Sequence, residues 1–592
     1  MNTIWQRIRK IRGKIKFLRL DGAYFSCTDP HFGEYLPDRW QTRAYISGFT
    51  GSYGVVVVTK SEALLWTDTR YFIQAEEQLK GTGIQLQKLR VPDAVAPERW
   101  LLENLQEGSR IGVDPDTVSA STFNVFYNLL KEKEIELVEV PDFFETIWED
   151  RPGLPMDKLF ELPTKYSGFS RAEKKQQIVE KLKKEGADAT VITLLDEVAW
   201  TFNLRGNDVH YNPVFTAYGW LEKNKTVLFV KPEKVPDKLA QTLASEGIEV
   251  QDYEALLPFL DTVKNKRIFL DKNTTSQAVY KVLSGNNHIV GGISVIGRLK
   301  ALKNKVEIEG FRKAMEKDGV ALVEFLAWLD KNIRKKELTE YDIGRKLKKL
   351  RARQKNFVEE SFPPIVGYKA HGPIVHLVVG PHNALPLKNE GILLFDSGGQ
   401  YIEGTTDITR TIALGPVTLQ QQKDFTLVLK GLIALTTAHF PAGTKGCNLD
   451  VLARKALWSN GLDYGHGTGH GVGHFLNVHE GPMSIRQEYN EISIEPGMVM
   501  SNEPGIYRKN EYGVRIENMI VCVETGSTEF GNFYGFETLT LCPIDKKLIV
   551  TDMLTMEERE WINNYHKRVK TILKPLLAKK LHAFLNVLTE TI

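Results

Sequence analysis

Apolar positions along the chain follow two rhythms. In the N-terminal half a charged helical stretch is twice followed by a short apolar strand and then by a pair of strand-like runs. The first copy passes from a basic segment, residues 5–16, into DGAYFS and on to YISGFTGSYGVVVVTKSEALLWTD. The second passes from RAEKKQQIVEKLKKEG through ADATVITLLD to FNLRGNDVHYNPVFTAYGWLEKNKTVLFV. Apolar residues three and four apart predict helices, and short apolar runs between turn residues predict buried strands. Self-similarity at so long a period predicts a duplicated α/β domain rather than a solenoid.

The Pro-containing stretch WEDRPGLPMDK, residues 148–158, reads as a linker. The second copy closes near VIGRLKALKNKVEIEG, where a long helix begins: Ile308, Phe311, Met315, Leu322, Phe325, Leu326 and Leu329 recur at helical spacing. The expected division is therefore 1–150 and 151–298 as two α/β domains and 299–592 as one large α+β domain. Within the last, KLKKLRARQK, residues 346–355, reads as a solvated helix face.

A chain of 592 residues has room for three or four cores at roughly 150 residues each. Its 77 basic and 74 acidic residues leave a net charge of +3, so nothing points to nucleic acid or an acidic membrane as partner. The four cysteines, Cys27, Cys447, Cys522 and Cys542, form no C-x-x-C pair. They read as free thiols in a reducing, cytoplasmic setting. No apolar run reaches the ~18 residues that would span a bilayer. The basic start, MNTIWQRIRKIRGKIKFLRLDG, has the charge of a transit peptide. It lacks serine, however, and its pattern runs straight into the first strand, which favours a first helix of the domain.

The densest chemistry lies in GHGTGHGVGHFLNVHEGP, residues 465–482, with His466, His470, His474 and His479. Five alternating glycines disfavour a helix, each by about 1 kcal/mol relative to alanine. In an extended chain His466, Thr468, His470, Val472 and His474 share one side. Glycine fits where another backbone or a ligand comes close. The pattern predicts imidazoles presented into a crowded cavity.

Four carboxylates complete it. Asp396 ends an apolar run, and Asp407 follows eleven residues later in a Thr-rich run reached through turn-like Gly-Gly and Glu-Gly steps. Glu503 follows an apolar strand, and Glu517 sits inside a β-like run, flanked by Ile516 and Asn518. Gathered in one cavity, four carboxylates would protonate unless cations joined them. Two divalent ions supply +4 against −4. One imidazole among four carboxylates is a hard, oxygen-rich set that suits Mn²⁺ and admits Co²⁺, Fe²⁺ or Zn²⁺.

HGTGHGVG, DSGGQYIEGTTDITRT, NVHEGP, NEPGIY and VRIEN together resemble the pita-bread metallopeptidases, and more closely their three-domain Xaa-Pro aminopeptidases. TDPHFGEYLPDRW, AYISGFTGSYG, LLWTDTRYFIQAEEQL and FNLRGNDVHYNPVF extend the resemblance through the N-terminal half. FETLTLCPIDKKLI and WINNYH extend it to the end. The resemblance implies two creatinase-like α/β domains before a pita-bread catalytic domain. It implies Asp396 on one metal, Asp407 and Glu517 as bridges, and His470 and Glu503 on the other metal. It implies substrate contacts from His376, His466 and His479, and support of the metal ligands by Arg515. Arg70, in WTDTRYF, matches a peptide-contacting arginine, although Thr69 stands where that family has glycine. His474 matches no catalytic position, and His371 no position at all.

The implied reaction is removal of the first residue from peptides with proline second. A water shared by two metals is the nucleophile, and Glu503 is the proton carrier. The proline nitrogen has no hydrogen to offer, so recognition falls to ring shape and carbonyls. The resemblance also implies a homodimer. The alternatives are a prolidase acting on Xaa-Pro dipeptides, a methionine aminopeptidase, a creatinase-like hydrolase without this metal set, and a pita-bread domain used only for binding. The duplicated N-terminal half, the long C-terminal tail and the complete ligand set favour the first reading.

Overall fold

A computed structural model describes residues 3–592. Contacts gather the chain into two compact units. One is built from the residues up to Pro163 together with Phe169–Leu299, the other from Thr164–Gly168 and Lys300–Ile592.

The first unit holds two six-stranded sheets. In the first sheet β1 (Gly22–Phe25), β2 (Val55–Thr59), β3 (Ala63–Thr67), β4 (Gln85–Lys88), β5 (Arg110–Val113) and β6 (Glu136–Glu139) lie in the order β4-β3-β2-β1-β5-β6. In the second, β7 (Ala189–Ile192), β8 (Tyr218–Glu222), β9 (Lys225–Phe229), β10 (Ile248–Gln251), β11 (Arg267–Leu270) and β12 (His288–Gly291) lie in the order β10-β9-β8-β7-β11-β12. The pairing senses match strand for strand: β1–β2 and β7–β8 are antiparallel, β1–β5 and β7–β11 parallel. The duplication expected from the sequence is thus a repeated topology. The repeats also meet as equivalents. Ser119 and Ser276 cap equivalent helices, their side chains accepting from Thr122 N and Val279 N, and form an antiparallel bridge with each other.

The basic N-terminal segment is the helix Thr3–Phe17. Ile4, Ile8, Ile11 and Ile15 line one face, and the last two are fully buried among Phe49, Val56, Val58 and Leu65. Its charges project from the other face. The helix closes the first core, as the amphipathic spacing predicts.

In the second unit the helix Lys305–Asn332 begins at Asn304, whose side chain accepts from Val306 N and Glu307 N while Glu307 returns the bond. Phe311, Met315, Leu322, Phe325, Leu326 and Leu329 are buried along it. The following helix, Glu340–Arg351, exposes Lys348 and Lys349 as a solvated face would, but its other side is buried. Leu347 and Leu350 are buried, and Arg351 is fully enclosed, its Nε donating to Asp318 Oδ1 at 2.7 Å. Tyr401 Oη donates to the same oxygen at 2.9 Å. A buried guanidinium needs such a partner, and charge counting along the sequence does not reveal it.

Two sheets and a hairpin carry the chemistry. Ile392–Ser397 lies between Ile365–Tyr368 and Ile408–Ala413, all antiparallel, with Asp396 opposite both Ile365 and Thr409. A six-stranded sheet runs Phe440–Pro441, Gly531–Thr538, Asn518–Thr528, Val499–Asn502, Gly469–Gly471, Glu480–Ile485. The hairpin Gly505–Arg508 with Tyr512–Arg515 leads into it. Helices Leu419–Thr436, Gly446–Trp458 and Met556–Leu573 cover the core, in which Phe311, Val428, Val521, Ile562 and Val569 pack together. The four cysteines are free. No helix among the described residues is long and apolar enough to cross a membrane.

Ile11→Ala removes a fully buried side chain, and the expected cost is about 2–5 kcal/mol. Arg9→Ala, on the exposed face, should stay within about 0.5 kcal/mol. Urea unfolding of both variants checks this. Equal, near-zero effects would show that the helix is not part of the core.

Candidate active site

The four carboxylates and the histidine arrive from different elements. Asp396 lies near the end of Ile392–Ser397. The chain then makes a short excursion, Gly399–Tyr401 against Gly404–Thr405, and returns with Asp407 just before Ile408–Ala413. Glu503 immediately follows Val499–Asn502. Glu517 does not lie inside a strand, as its sequence context suggests. It occupies the joint between Tyr512–Arg515 and Asn518–Thr528, where the chain passes from hairpin to sheet. Its backbone N–H donates to Thr409 O at 3.1 Å, and its carboxylate turns inward.

These residues converge. Asp407, His470 and Glu517 each place a ligand atom within 4.8 Å of the others. His470 Nε2 lies 3.5 Å from Asp407 Oδ2 and 3.6 Å from Glu503 Oε1. The other ring nitrogen, Nδ1, donates to Gly471 O at 2.9 Å, which turns Nε2 toward the carboxylates. Ser501 Oγ accepts from His470 N at 3.0 Å and donates to Glu503 Oε1 at 3.3 Å, tying two neighbours together. Asp407 and Asp396 are nearly enclosed, whereas His470 keeps 21% and Glu503 18% of its side chain exposed. The cluster opens on the His470–Glu503 side.

Charge crowding is severe. Burial, followed by the charges of Asp407, Asp396 and Glu503, lifts the Glu517 carboxyl well above its usual range. Burial raises Glu503 to about 7 against the attraction of His470 and Arg515. Burial opposes protonation of His470, but its contact with Asp407 and the charges of Glu503 and Asp407 overcome this and raise it to about 9. Arg515 supplies a fixed cation: NH2 donates to Asp396 Oδ2 at 2.6 Å and Nε to Thr409 Oγ1 at 3.1 Å. Thr409 Oγ1 in turn donates to Glu517 Oε2 at 3.0 Å. The other oxygens of these two acids, Asp396 Oδ1 and Glu517 Oε1, are buried and have no hydrogen-bond donor among the described residues. Oxygens in that condition fit divalent cations: hard, anionic and otherwise unsatisfied.

The glycines between the histidines answer to close backbone packing. A Cβ on Gly469 would stand 2.1 Å from Ser501 O, and one on Gly471 2.4 Å from Glu480 O. The extended stretch is shorter than alternation predicts, only Gly469–Gly471. Beyond it the chain turns, and His474 departs from the shared side to pack, nearly buried, edge-on against Phe311 at 5.5 Å.

The remaining candidates take distinct positions. The His479 ring stands edge-on to His470, centroids 4.3 Å apart. His466 hydrogen-bonds through both ring nitrogens: Nδ1 donates to Gly467 O at 2.8 Å, and Nε2 lies 2.7 Å from Tyr507 Oη. Since Arg515 NH1 donates to that hydroxyl at 2.7 Å, the hydroxyl's own proton goes to His466. His376 lies in the segment after Ile365–Tyr368, whose Ile374 and Leu377 pack with Ile365 and Tyr507. Arg70 belongs to the first unit. Its Nε and NH2 grip Asp68 at 2.9 and 2.8 Å, and its guanidinium lies by the Tyr71 ring at 5.3 Å. Sequence reasoning overlooked Tyr507 and Thr409, which join His466, Arg515, Asp396 and Glu517 into one chain of hydrogen bonds. Both lie inside the motifs NEPGIY and DITRT. It also overlooked Lys300 and Lys303, buried cations that both bind Glu480, the neighbour of His479.

Comparison with known proteins agrees with this architecture. Family models match in four consecutive stretches. Two describe creatinase/prolidase N-terminal domains, at residues 7–147 and 150–307, one metallopeptidase family M24 at 309–524, and one the C-terminal region of peptidase M24 at 532–592. A probable Xaa-Pro aminopeptidase P of Laccaria bicolor is 38% identical over 97% of this chain and 91% of its own length. Xaa-Pro aminopeptidase 1 of Dictyostelium discoideum is 38% identical, over 98% of this chain and 94% of its own. A crystal structure of X-prolyl aminopeptidase from Caenorhabditis elegans, described as a cytosolic enzyme with a di-nuclear active site, matches with a TM-score of 0.96 at 33% identity, covering 100% of both chains. Xaa-Pro dipeptidase from Bacillus anthracis, 21% identical with a TM-score of 0.51 over 64% of this chain and 99% of its own, shares the fold. The chain belongs to metallopeptidase family M24, among the Xaa-Pro aminopeptidases P.

Gly469→Ala forces the strand carrying His470 away from Val499–Asn502. With His470 displaced by about 1 Å, kcat/KM should fall about 100-fold and metal content should drop. Metal analysis alongside peptide turnover checks this, and wild-type values for both would refute the close-packing account.

Proposed function

We propose that this chain is an Xaa-Pro aminopeptidase that releases the first residue from peptides with proline at the second position, using two divalent metal ions, Mn²⁺ by preference. One observation carries the reading. Four carboxylates and one imidazole from five separate segments converge, and two of their buried oxygens lack any donor among the described residues. Asp396, Asp407, His470, Glu503 and Glu517 would hold the two ions. When bound, the ions supply Lewis-acid chemistry, easing deprotonation of water and polarising the scissile carbonyl.

The protein's own groups do the rest. Arg515 holds Asp396 Oδ2, leaving Oδ1 for a cation. Gly471 O fixes the His470 tautomer. Glu503, partly exposed at the open side, accepts a proton on its carboxylate and returns it to the leaving proline nitrogen. His479, beside His470 at the open side, and His376 contact the substrate carbonyl. His466 has committed both nitrogens to Gly467 and Tyr507, so it offers its ring edge and face to the proline ring. Arg70 is assigned a peptide contact. The protein works in the cytoplasm as a homodimer, and its division into 1–150, 151–298 and 299–592 follows the two repeats and the catalytic unit. A prolidase is the second reading, favoured only by the shared fold.

Manganese-loaded protein should cleave Arg-Pro-Pro in preference to an Xaa-Pro dipeptide or a Met-Ala peptide. Asp407→Asn should lose bound metal and at least about 1,000-fold in kcat. Preference for the dipeptide would select the prolidase reading. Full activity of Asp407→Asn without metal would refute the dinuclear one.

A further inference from the structure

Glu340, the first residue of the helix Glu340–Arg351, is a fully buried carboxylate far along the chain from every candidate ligand. It is nevertheless satisfied three times. Oε1 accepts from Tyr368 N at 2.8 Å, and Oε2 accepts from Leu385 N at 2.7 Å and from His371 Nδ1 at 2.8 Å. Tyr368 and Leu385 are the two roots of one segment. Between them the chain has only a single 3-10 turn, Lys369–His371, and its tip, around Val378 and Pro381–Asn383, is exposed. The backbone reinforces the closure: Glu340 N donates to Leu385 O at 3.1 Å, Leu387 N to Leu338 O at 2.7 Å, and Thr339 bridges Pro386.

This segment carries His376. Its first root leaves the strand Ile365–Tyr368, which pairs Ile365 with Asp396. It then presses on the hairpin that bears Arg515: a Cβ on Gly372 would stand 2.4 Å from Gly513 N. Ile374 and Leu377 pack on Ile365 and Tyr507. A long irregular segment is held in one place only by contacts at its roots and along one side. Here a single carboxylate joins both roots, and a histidine within the segment adds a third strut.

We propose that Glu340 and His371 form a clasp that fixes the segment carrying His376 so that His376 can meet the substrate, and that they act on catalysis only through His376. The clasp rests on the reading of His376 as a substrate-contacting residue. It assigns His371, which matches no position expected from the sequence, to positioning rather than chemistry. Both oxygens of Glu340 are needed, because three donors converge on them. The substitution Glu340→Gln would bring an N–H against a donor and release one root or the strut.

The test is a pair of double-mutant cycles on the metal-loaded enzyme with Arg-Pro-Pro as substrate: Glu340→Gln with His376→Ala, and His371→Ala with His376→Ala. Metal content and hydrogen exchange of residues 369–385 are measured in each variant. His376→Ala alone should lower kcat/KM about 10-fold or more. Glu340→Gln should lower it about 10-fold and His371→Ala about 3-fold, with metal content unchanged and faster exchange in 369–385. Each double variant should match His376→Ala within about 2-fold. Losses that multiply in the double variants would overturn the clasp while leaving the role of His376 intact, as would wild-type kcat/KM in Glu340→Gln. A silent His376→Ala would overturn both readings together. If Glu340→Gln does not fold, the His371 cycle decides alone, because that side chain is partly exposed and its loss leaves Glu340 its two backbone donors.

Discussion

Like-charge repulsion in a buried cavity is the constraint around which the second unit is organised. Asp396, Asp407, Glu503 and Glu517 cannot all remain ionised in one enclosed space on the strength of Arg515 and His470 alone. Burial and mutual repulsion lift Glu517 and Glu503 towards protonation, and His470 is drawn towards the charged form. Those are the shifts of a site arranged for cations. Arg515 fixes one oxygen of Asp396, and Thr409 fixes one of Glu517, which leaves their other oxygens buried and without a donor among the described residues.

The fold supplies what a flexible chain could not. Pairing Asp396 with Thr409 in register sets the spacing between the first acid and the hydroxyl that reaches Glu517. Close packing of Gly469 on Ser501 lets Ser501 Oγ link the histidine strand to Glu503. The hairpin of Gly505–Arg508 and Tyr512–Arg515 brings Tyr507 to His466 and Arg515 to Asp396. Asp424, buried in the helix Leu419–Thr436, secures that hairpin by accepting from Arg508 and from Tyr512 Oη at 2.7 Å. Each of the five residues therefore lies in or immediately beside a different strand.

Much of this is legible in the residues alone, for identifiable reasons. The duplicated N-terminal half shows because apolar runs and charged helices repeat in order, and the repeated strand order follows. The N-terminal helix shows because four isoleucines recur at spacings of three and four. The four carboxylates show because acids gathered in one cavity are costly unless cations join them, and the family resemblance singles out His470 among the four clustered histidines. What sequence does not display is pairing across distance. Arg351 looks like one more solvated lysine-or-arginine position until Asp318 and Tyr401 enclose it. Glu517 reads as mid-strand because Ile516 and Asn518 have β character, yet the chain changes sheets there. Glu340 reads as the first residue of a helix, an ordinary place for an acid. Only the fold brings Tyr368, His371 and Leu385 to it.

The most direct measurement is anomalous scattering at the manganese edge from a crystal of this protein grown with excess Mn²⁺. Two peaks should appear, each within ligand distance of Asp407 and Glu517, one also touching Asp396 and the other His470 and Glu503. A single peak, or none, in a protein that still turns over Arg-Pro-Pro would contradict the account.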